Sequence, residues 1–292
     1  MHCYSVSCPN QQIANPEWQK AVSSAAIKRI EYSCSEGFPL SSFEEDVKIL
    51  CAMQERGEVE VSSIHIPFGA AITVGTPDET LRSNTVRFIK DFLKVTAPLG
   101  CRNYTLHPST EPIEESERAA HMAGLRKSLK ELEDAARSQG AVFNLENLPR
   151  TCLGRDVNEM VEMLDGMAED VFGYCIDVNH FCGFAEQCPA IIRQLGKRLN
   201  SMHLNDYDGE DECHWYPGLG VLDWAAIIRE IRALEQKIVL IQETYGFLRQ
   251  RADVDNNAVI FRNVAACAHF IENAADIAAA RAAFPAGGWF KA

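Results

Sequence analysis

Six short apolar runs in this 292-residue chain finish on a histidine or an acid. They are Ser62-Ser63-Ile64-His65, Tyr104-Thr105-Leu106-His107, Phe143-Asn144-Leu145-Glu146, Tyr174-Cys175-Ile176-Asp177 (then Val178-Asn179-His180), Ser201-Met202-His203 and Leu240-Ile241-Gln242-Glu243. Five of the eight histidines (65, 107, 180, 203 and 214) fall at these ends or just after them. Imidazoles and carboxylates bind borderline divalent cations and move protons near neutral pH. One such residue alone is more often a structural histidine or a solvated acid. Six in series ask for a common cause. Carboxylates brought to one place repel one another and are costly to desolvate, and a bound cation removes both penalties. Imidazole mixed with carboxylate, without paired thiols, suits Mn, Zn, Co or Fe(II), with Mg the weaker fit.

The elements that must position these residues alternate along the chain. Apolar or β-branched runs predict strands over 2–7, 29–34, 59–66, 102–107, 141–146, 172–177, 199–204 and 238–243. Between them lie segments with helix punctuation. Asn15-Pro16 reads as an N-cap with a first-turn proline. Thr76-Pro77-Asp78-Glu79 reads as a capping box with proline at the first helical position. Met122, Leu125, Leu129, Leu132 and Ala136 make one helix face, with Gly140 as its stop. Asp223 caps a helix carrying Ile227, Ile231 and Leu234. Eight such units predict an α/β fold, a single (β/α)8 TIM barrel over residues 1–292, with a C-terminal helical extension from about 272. A doubly wound sheet is the runner-up, but no glycine-rich phosphate loop follows the first strand. Barrel chemistry sits at the C-terminal strand ends, where the polar residues fall.

After the seventh strand comes an acidic segment holding Asp206, Asp208, Glu210, Asp211, Glu212 and His214. Trp215-Tyr216-Pro217-Gly218-Leu219-Gly220 follows. A loop this long at the catalytic face is expected to be functional, its glycines admitting a ligand and its aromatics covering it. Arg150, just beyond Glu146, is the best basic handle for an acidic substrate. The chain carries 28 Lys and Arg against 41 Asp and Glu, a net charge of −13. That argues against nucleic acid, whose binding depends on neutralising phosphates. No apolar run is long enough to span a membrane. The start, Met1-His2-Cys3-Tyr4-Ser5, lacks a signal-peptide pattern. Eleven scattered cysteines read as reduced thiols of a cytoplasmic protein.

From roughly residue 29 to 246 the chain resembles the xylose isomerase-like barrels, which include sugar isomerases and epimerases, inosose dehydratase and endonuclease IV. The resemblance is carried by Ile64-His65-Ile66-Pro67-Phe68, Leu106-His107-Pro108-Ser109, Leu145-Glu146-Asn147-Leu148-Pro149-Arg150, Asp177-Val178-Asn179-His180, His203-Leu204-Asn205-Asp206 and His214-Trp215-Tyr216-Pro217-Gly218-Leu219-Gly220. In this order they are specific for the superfamily and not for one reaction. The resemblance implies one divalent ion, Mn, Zn, Co or Mg, held by Glu146, Asp177, His203 and Glu243. It implies that Glu146 and Glu243 double as the catalytic proton-transfer pair and that His180 touches substrate. Endonuclease IV holds three zinc ions with nine ligands. Candidates here are His65, His107, Glu146, Asp177, His180, His203, Glu212, His214 and Glu243, with Glu212 replacing the nuclease's Asp. Gly209 stands where the epimerases carry an Arg.

The resulting expectation is a divalent-metal-dependent isomerase or epimerase of a keto-sugar or sugar derivative, working by proton transfer through a metal-bound enediolate. His65, His107, His180, Arg150, Glu212 and His214 are expected to bind substrate around the same mouth. The alternatives are a dehydratase or lyase on a keto-sugar or keto-inositol, an endonuclease IV-like phosphodiesterase, and a non-catalytic binding barrel. The expected partner is a small carbohydrate. Trp289 and Phe290 are candidate contacts for a homo-oligomer.

Overall fold

The computed structural model describes residues 2–218 and 220–244, together with Phe261, Val264, Ala265, Ala268, Ile271 and Glu272. Eight parallel strands form a closed barrel in sequence order. They are β1 (Cys3–Pro9), β2 (Arg29–Ser33), β3 (Glu60–His65), β4 (Asn103–Leu106), β5 (Val142–Glu146), β6 (Phe172–Asp177), β7 (Leu199–Leu204) and β8 (Val239–Gln242). Pairing of Cys3 with Val239 and Val6 with Gln242 joins β1 to β8 and closes the ring. The helices in the connections are α1 (Pro16–Ser24), α2 (Leu40–Glu55), α3 (Glu79–Thr96), α4 (Arg118–Gln139), α5 (Val157–Leu164), α6 (Cys188–Leu195) and α7 (Trp224–Ala233). This is the (β/α)8 architecture the alternation predicts. No described helix is long and apolar enough to cross a membrane. The expected C-terminal extension, with Trp289 and Phe290, lies outside the described residues from 273 onward.

Strand alternation divides the work between two sides of the sheet. Phe172, Tyr174 and Ile176 of β6 face the helices and join the hydrophobic core. The same holds for Phe143 and Leu145 of β5 and for Tyr104 and Leu106 of β4. The other side of each strand lines the barrel, and there small and polar residues dominate: Ser5, Ser7, Ser63, Thr105, Asn144 and Ser201 are all buried. Bulky aliphatic residues usually fill this space. Here it is a polar interior, and Gly173 allows one layer to close, since a Cβ there would meet Asn200 Nδ2 at 2.2 Å.

Local signals explain the helix ends. Asn15 caps α1 by accepting from Glu17 N, and Asp223 caps α7 by accepting from Ala226 N. Met122, Leu125, Leu129, Leu132 and Ala136 are all buried along α4, and Gly140 ends it in the left-handed region at φ 65°. One expectation is corrected. The cap of α3 is Asp78, so Pro77 precedes the helix and is not its first residue. The Asp78 carboxylate accepts from two free amides, Thr80 N and Leu81 N, and so sets the start.

The loop after β7 also differs from expectation. Asp206 is fully buried, unlike the exposed Asp208, Glu210 and Asp211 of the same acidic segment. Its carboxylate accepts from the amides of Tyr207, Gly218 and Leu222 and from the Trp224 indole. Its backbone exchanges two 2.8 Å hydrogen bonds with Trp215. Tyr207 and Tyr216 of this loop are fully buried. Gly220 admits the loop's own backbone: a Cβ there would meet Tyr207 O at 2.0 Å. Asp206→Ala leaves several buried donors without an acceptor, and should lower stability by roughly 3 kcal/mol. Thermal unfolding of the purified variant checks this, and an unchanged midpoint would contradict the role given to Asp206.

Candidate metal centre

The polar strand ends meet at one end of the barrel. Glu146, Asp177, His203 and Glu243, from β5, β6, β7 and the residue after β8, each offer one ligand atom, all within 4.8 Å of one another. His203 Nδ1 lies 2.9 Å from Glu146 Oε1, 3.0 Å from Glu243 Oε2 and 3.7 Å from Asp177 Oδ2. Asp177 and His203 are wholly enclosed and Glu146 nearly so, while Glu243 is 18% exposed towards the cavity. One imidazole and three carboxylates converging in a buried place fit a divalent cation by chemistry and by reach.

Two further groups share these residues. His65, His107 and Glu146 form one, and Asp177, His180 and His214 form the other. His65 Nδ1 lies 3.0 Å from the Ile66 carbonyl, and His180 Nδ1 lies 2.8 Å from the Asn147 carbonyl. A carbonyl only accepts, so both rings carry a proton on Nδ1 and turn Nε2 towards the acids. His65 Nε2 is 3.3 Å from Glu146 Oε2, and His180 Nε2 is 3.7 Å from Asp177 Oδ2.

Above these groups a cavity of about 630 Å³ opens, lined by His65, Phe68, His107, Glu146, Arg150, His180, Glu212, His214 and Glu243, among others. The structure thus gathers the expected substrate-facing residues at one mouth. Arg150 and His214 adopt positive φ, 55° and 47°, and both line this cavity. Such strain in residues other than glycine gathers at functional places. The Arg150 guanidinium is already committed, at 2.6 Å to Glu111, 2.7 Å to Asp211 and 2.6 Å to Glu212. It ties the β5 loop to the β7 loop across the mouth.

Sequence reasoning missed the residues that hold this set in place. Asn147 accepts from Asp177 N at 2.7 Å and donates to Asp177 O at 3.0 Å, locking the ends of β5 and β6 together. Asn205 donates to Asp177 Oδ2, and Asn179 accepts from the amides of Cys213 and His214. Glu31, in the middle of β2, is fully buried and reaches His203 Nε2 at 3.2 Å. A lone acid within Arg29-Ile-Glu-Tyr-Ser33 was the available signal.

Burial resists every charge here, and at all of these groups but His107 the opposite charges outweigh it. Glu146 is pushed up by burial but held well below the usual carboxylate range by His203 and His107. Asp177 is likewise lowered, against burial, chiefly by His180 and His203. Burial lowers His180, but Asp177, Glu212 and Glu146 push it up to about 10. Burial lowers His203 too, yet its acidic neighbours raise it well above the ordinary value. His107, governed by burial, is lowered. Without metal, His180 and His203 are therefore protonated at neutral pH. Their raised values give stability that is complete below pH 6.5 and, for His180, lost as pH rises through about 10. A cation needs the neutral rings, so zinc uptake near pH 7 should release protons and its affinity should rise with pH. Calorimetry in buffers of different ionisation enthalpy measures both, and uptake without proton release would contradict these assignments.

The family model for xylose isomerase-like TIM barrels matches residues 20–260. The chain is 27% identical over 180 residues to a probable endonuclease 4 of Aquifex aeolicus, covering 54% of this chain and 61% of that protein. It spans 53% and 61% of the lengths of two curated relatives it matches. Among solved structures, a D-tagatose 3-epimerase-like protein superposes with a TM-score of 0.75 at 20% identity, covering 93% of this chain and 97% of that one. The TTHB071 protein of Thermus thermophilus, from a crystal soaked with ZnCl2, superposes with a TM-score of 0.62 at 24% identity, covering 86% and 98%. With most of its length matched by the family model and its closed barrel in place, the chain belongs to the xylose isomerase-like TIM barrel family.

Proposed function

We propose that the protein is a divalent-metal-dependent isomerase or epimerase acting on a small keto-sugar or sugar derivative. The observation that carries this reading is the tetrad of Glu146, Asp177, His203 and Glu243, whose ligand atoms all lie within 4.8 Å of one another. When bound there, a divalent cation supplies Lewis-acid polarisation of a substrate carbonyl and its neighbouring hydroxyl. The chain supplies the proton transfer. Glu146 and Glu243 approach from strands three places apart in the ring, so they face a central carbon from different sides. Their surroundings differ. Glu146 lies under His65, His107 and His203, which hold it as the anion. Glu243 opens to the cavity and is the freer of the two to take a proton from substrate. In isomerisation one carboxylate removes the proton next to the carbonyl and hands it back at the neighbouring carbon. In epimerisation the opposite carboxylate must enter protonated, by a proton from the histidines around it, and delivers that proton to the other face while the first keeps the one it removed.

The cavity supports an uncharged sugar. Among the described lining residues the only Lys or Arg is Arg150, and three carboxylates already neutralise it. Phe68, 41% exposed, stacks on His107 with centroids 3.6 Å apart and offers an apolar wall for the C–H face of a sugar ring. The same first step would serve a dehydratase or lyase on a keto-sugar or keto-inositol.

A second reading, a phosphodiesterase with several metals, is favoured by the two extra ligand groups around His65 and His180. Glu36, Glu111, Glu212 and Glu243 at the mouth weigh against a phosphate backbone. Anomalous scattering from zinc-loaded crystals separates the two: one peak supports the isomerase reading, three the phosphodiesterase. For the chemistry, wild-type protein given ketoses in deuterated water should wash deuterium into the carbon beside the carbonyl. Glu243→Gln and Glu146→Gln should keep the fold and some metal yet lose turnover at least ~100-fold. Exchange at the wild-type rate in both variants, at matched metal content, would make these glutamates ligands only.

A further inference from the structure

Each metal-facing histidine needs something on its far side to fix which nitrogen carries the proton. For His65 and His180 that partner is a backbone carbonyl. His203 is turned the other way: its Nδ1 faces Glu146 and Glu243, and its Nε2 points into the barrel. Most backbone carbonyls inside a closed barrel are spent on the sheet, so a side chain has to serve. The side chain found there is Glu31, which comes from β2 on the far side of β1 and β8.

We infer that Glu31 is a positioning residue of the metal centre, which holds His203 as the Nε2-protonated imidazole and so presents its Nδ1 lone pair to a cation. Both Glu31 oxygens face His203 Nε2, at 3.2 and 3.4 Å. Oε2 also accepts from Ser63 Oγ at 2.8 Å and Thr105 Oγ1 at 3.1 Å. Those hydroxyls occupy Oε2, while Oε1, the oxygen nearer His203 Nε2, accepts no hydrogen bond from any other described side chain. Glu31 is fully buried and does not line the cavity, so it reaches no substrate and acts through the histidines, His203 foremost. A carboxylate behind a ligating imidazole sets the ring's tautomer and orientation and raises its basicity, and loss of such a partner costs about 10–100-fold in metal affinity.

The inference rests on the metal-dependent reading, and the experiment keeps the two apart. Zinc affinity is measured on the full chain for wild type, Glu31→Gln and Glu31→Ala, alongside histidine ¹⁵N spectra of the zinc-loaded proteins. Glu31→Gln keeps the shape and removes the charge; Glu31→Ala removes both. Wild type is expected to show His203 protonated at Nε2 and metal-shifted at Nδ1. Affinity is expected to fall by about tenfold or more in Glu31→Gln and further in Glu31→Ala, with the His203 signals displaced. A merely structural acid would lower the unfolding temperature and leave affinity and spectra in place, and that result would overturn the inference. Should a variant fail to fold, the wild-type spectrum still decides: His203 ligating through Nε2, or carrying its proton on Nδ1, sinks the inference. Wild type that binds no zinc would instead remove the metal-dependent reading, and this inference with it.

Discussion

The structure depends on one electrostatic constraint: acids from several strands converge on a single buried imidazole at the floor of the cavity. Glu31, Glu146, Asp177 and Glu243 all approach His203. Separately, each buried charge would be costly. Together, the anions are compensated by a ring of histidines above them and a layer of hydroxyls and amides below. The polar barrel interior follows from this constraint. A lining of Val, Ile and Leu would leave the Glu31 carboxylate without donors, whereas Ser63 and Thr105 supply them.

The loops above obey the same logic with different parts. Asp206 is a buried acid satisfied by backbone amides and one indole, and it fixes the shape of the segment that carries Glu212 and His214 to the mouth. Asn179 receives the amide of His214, and Arg150 joins Glu111, Asp211 and Glu212 from two loops. Strands thus hold the candidate ligands, and hydrogen-bonded loops hold the other residues that line the cavity. Positions that must be accurate sit on elements that cannot shift, which is how a site of converging charges stays ordered.

Much of the candidate site was legible in the chain because a parallel barrel maps sequence onto space in a simple way. Every strand points the same direction, so the last residue of each run arrives at the same end. His65, His107, Glu146, Asp177, His203 and Glu243 could be found by reading run ends alone. Helix ends were legible where one side chain decides them, as at Asn15, Asp223 and Gly140. They were misread at Pro77, where two cap patterns overlap and the geometry chose Asp78.

What the sequence by itself determined is therefore the barrel, its polar end and the kinds of side chain gathered there, all consequences of local periodicity and strand direction. Only the tertiary structure decided the partners of those side chains. Glu31 lies 172 residues before His203, and nothing local marks a buried acid in β2 as belonging to β7. Asp206 reads as one more charge in an acidic run until the fold surrounds it with donors. Arg150 reads as a free cation until two loops bring it three carboxylates. Pairing across a closed barrel joins residues far apart in the chain, and the local pattern around each is the same whether it ends in water, in a salt bridge or beside a metal ligand.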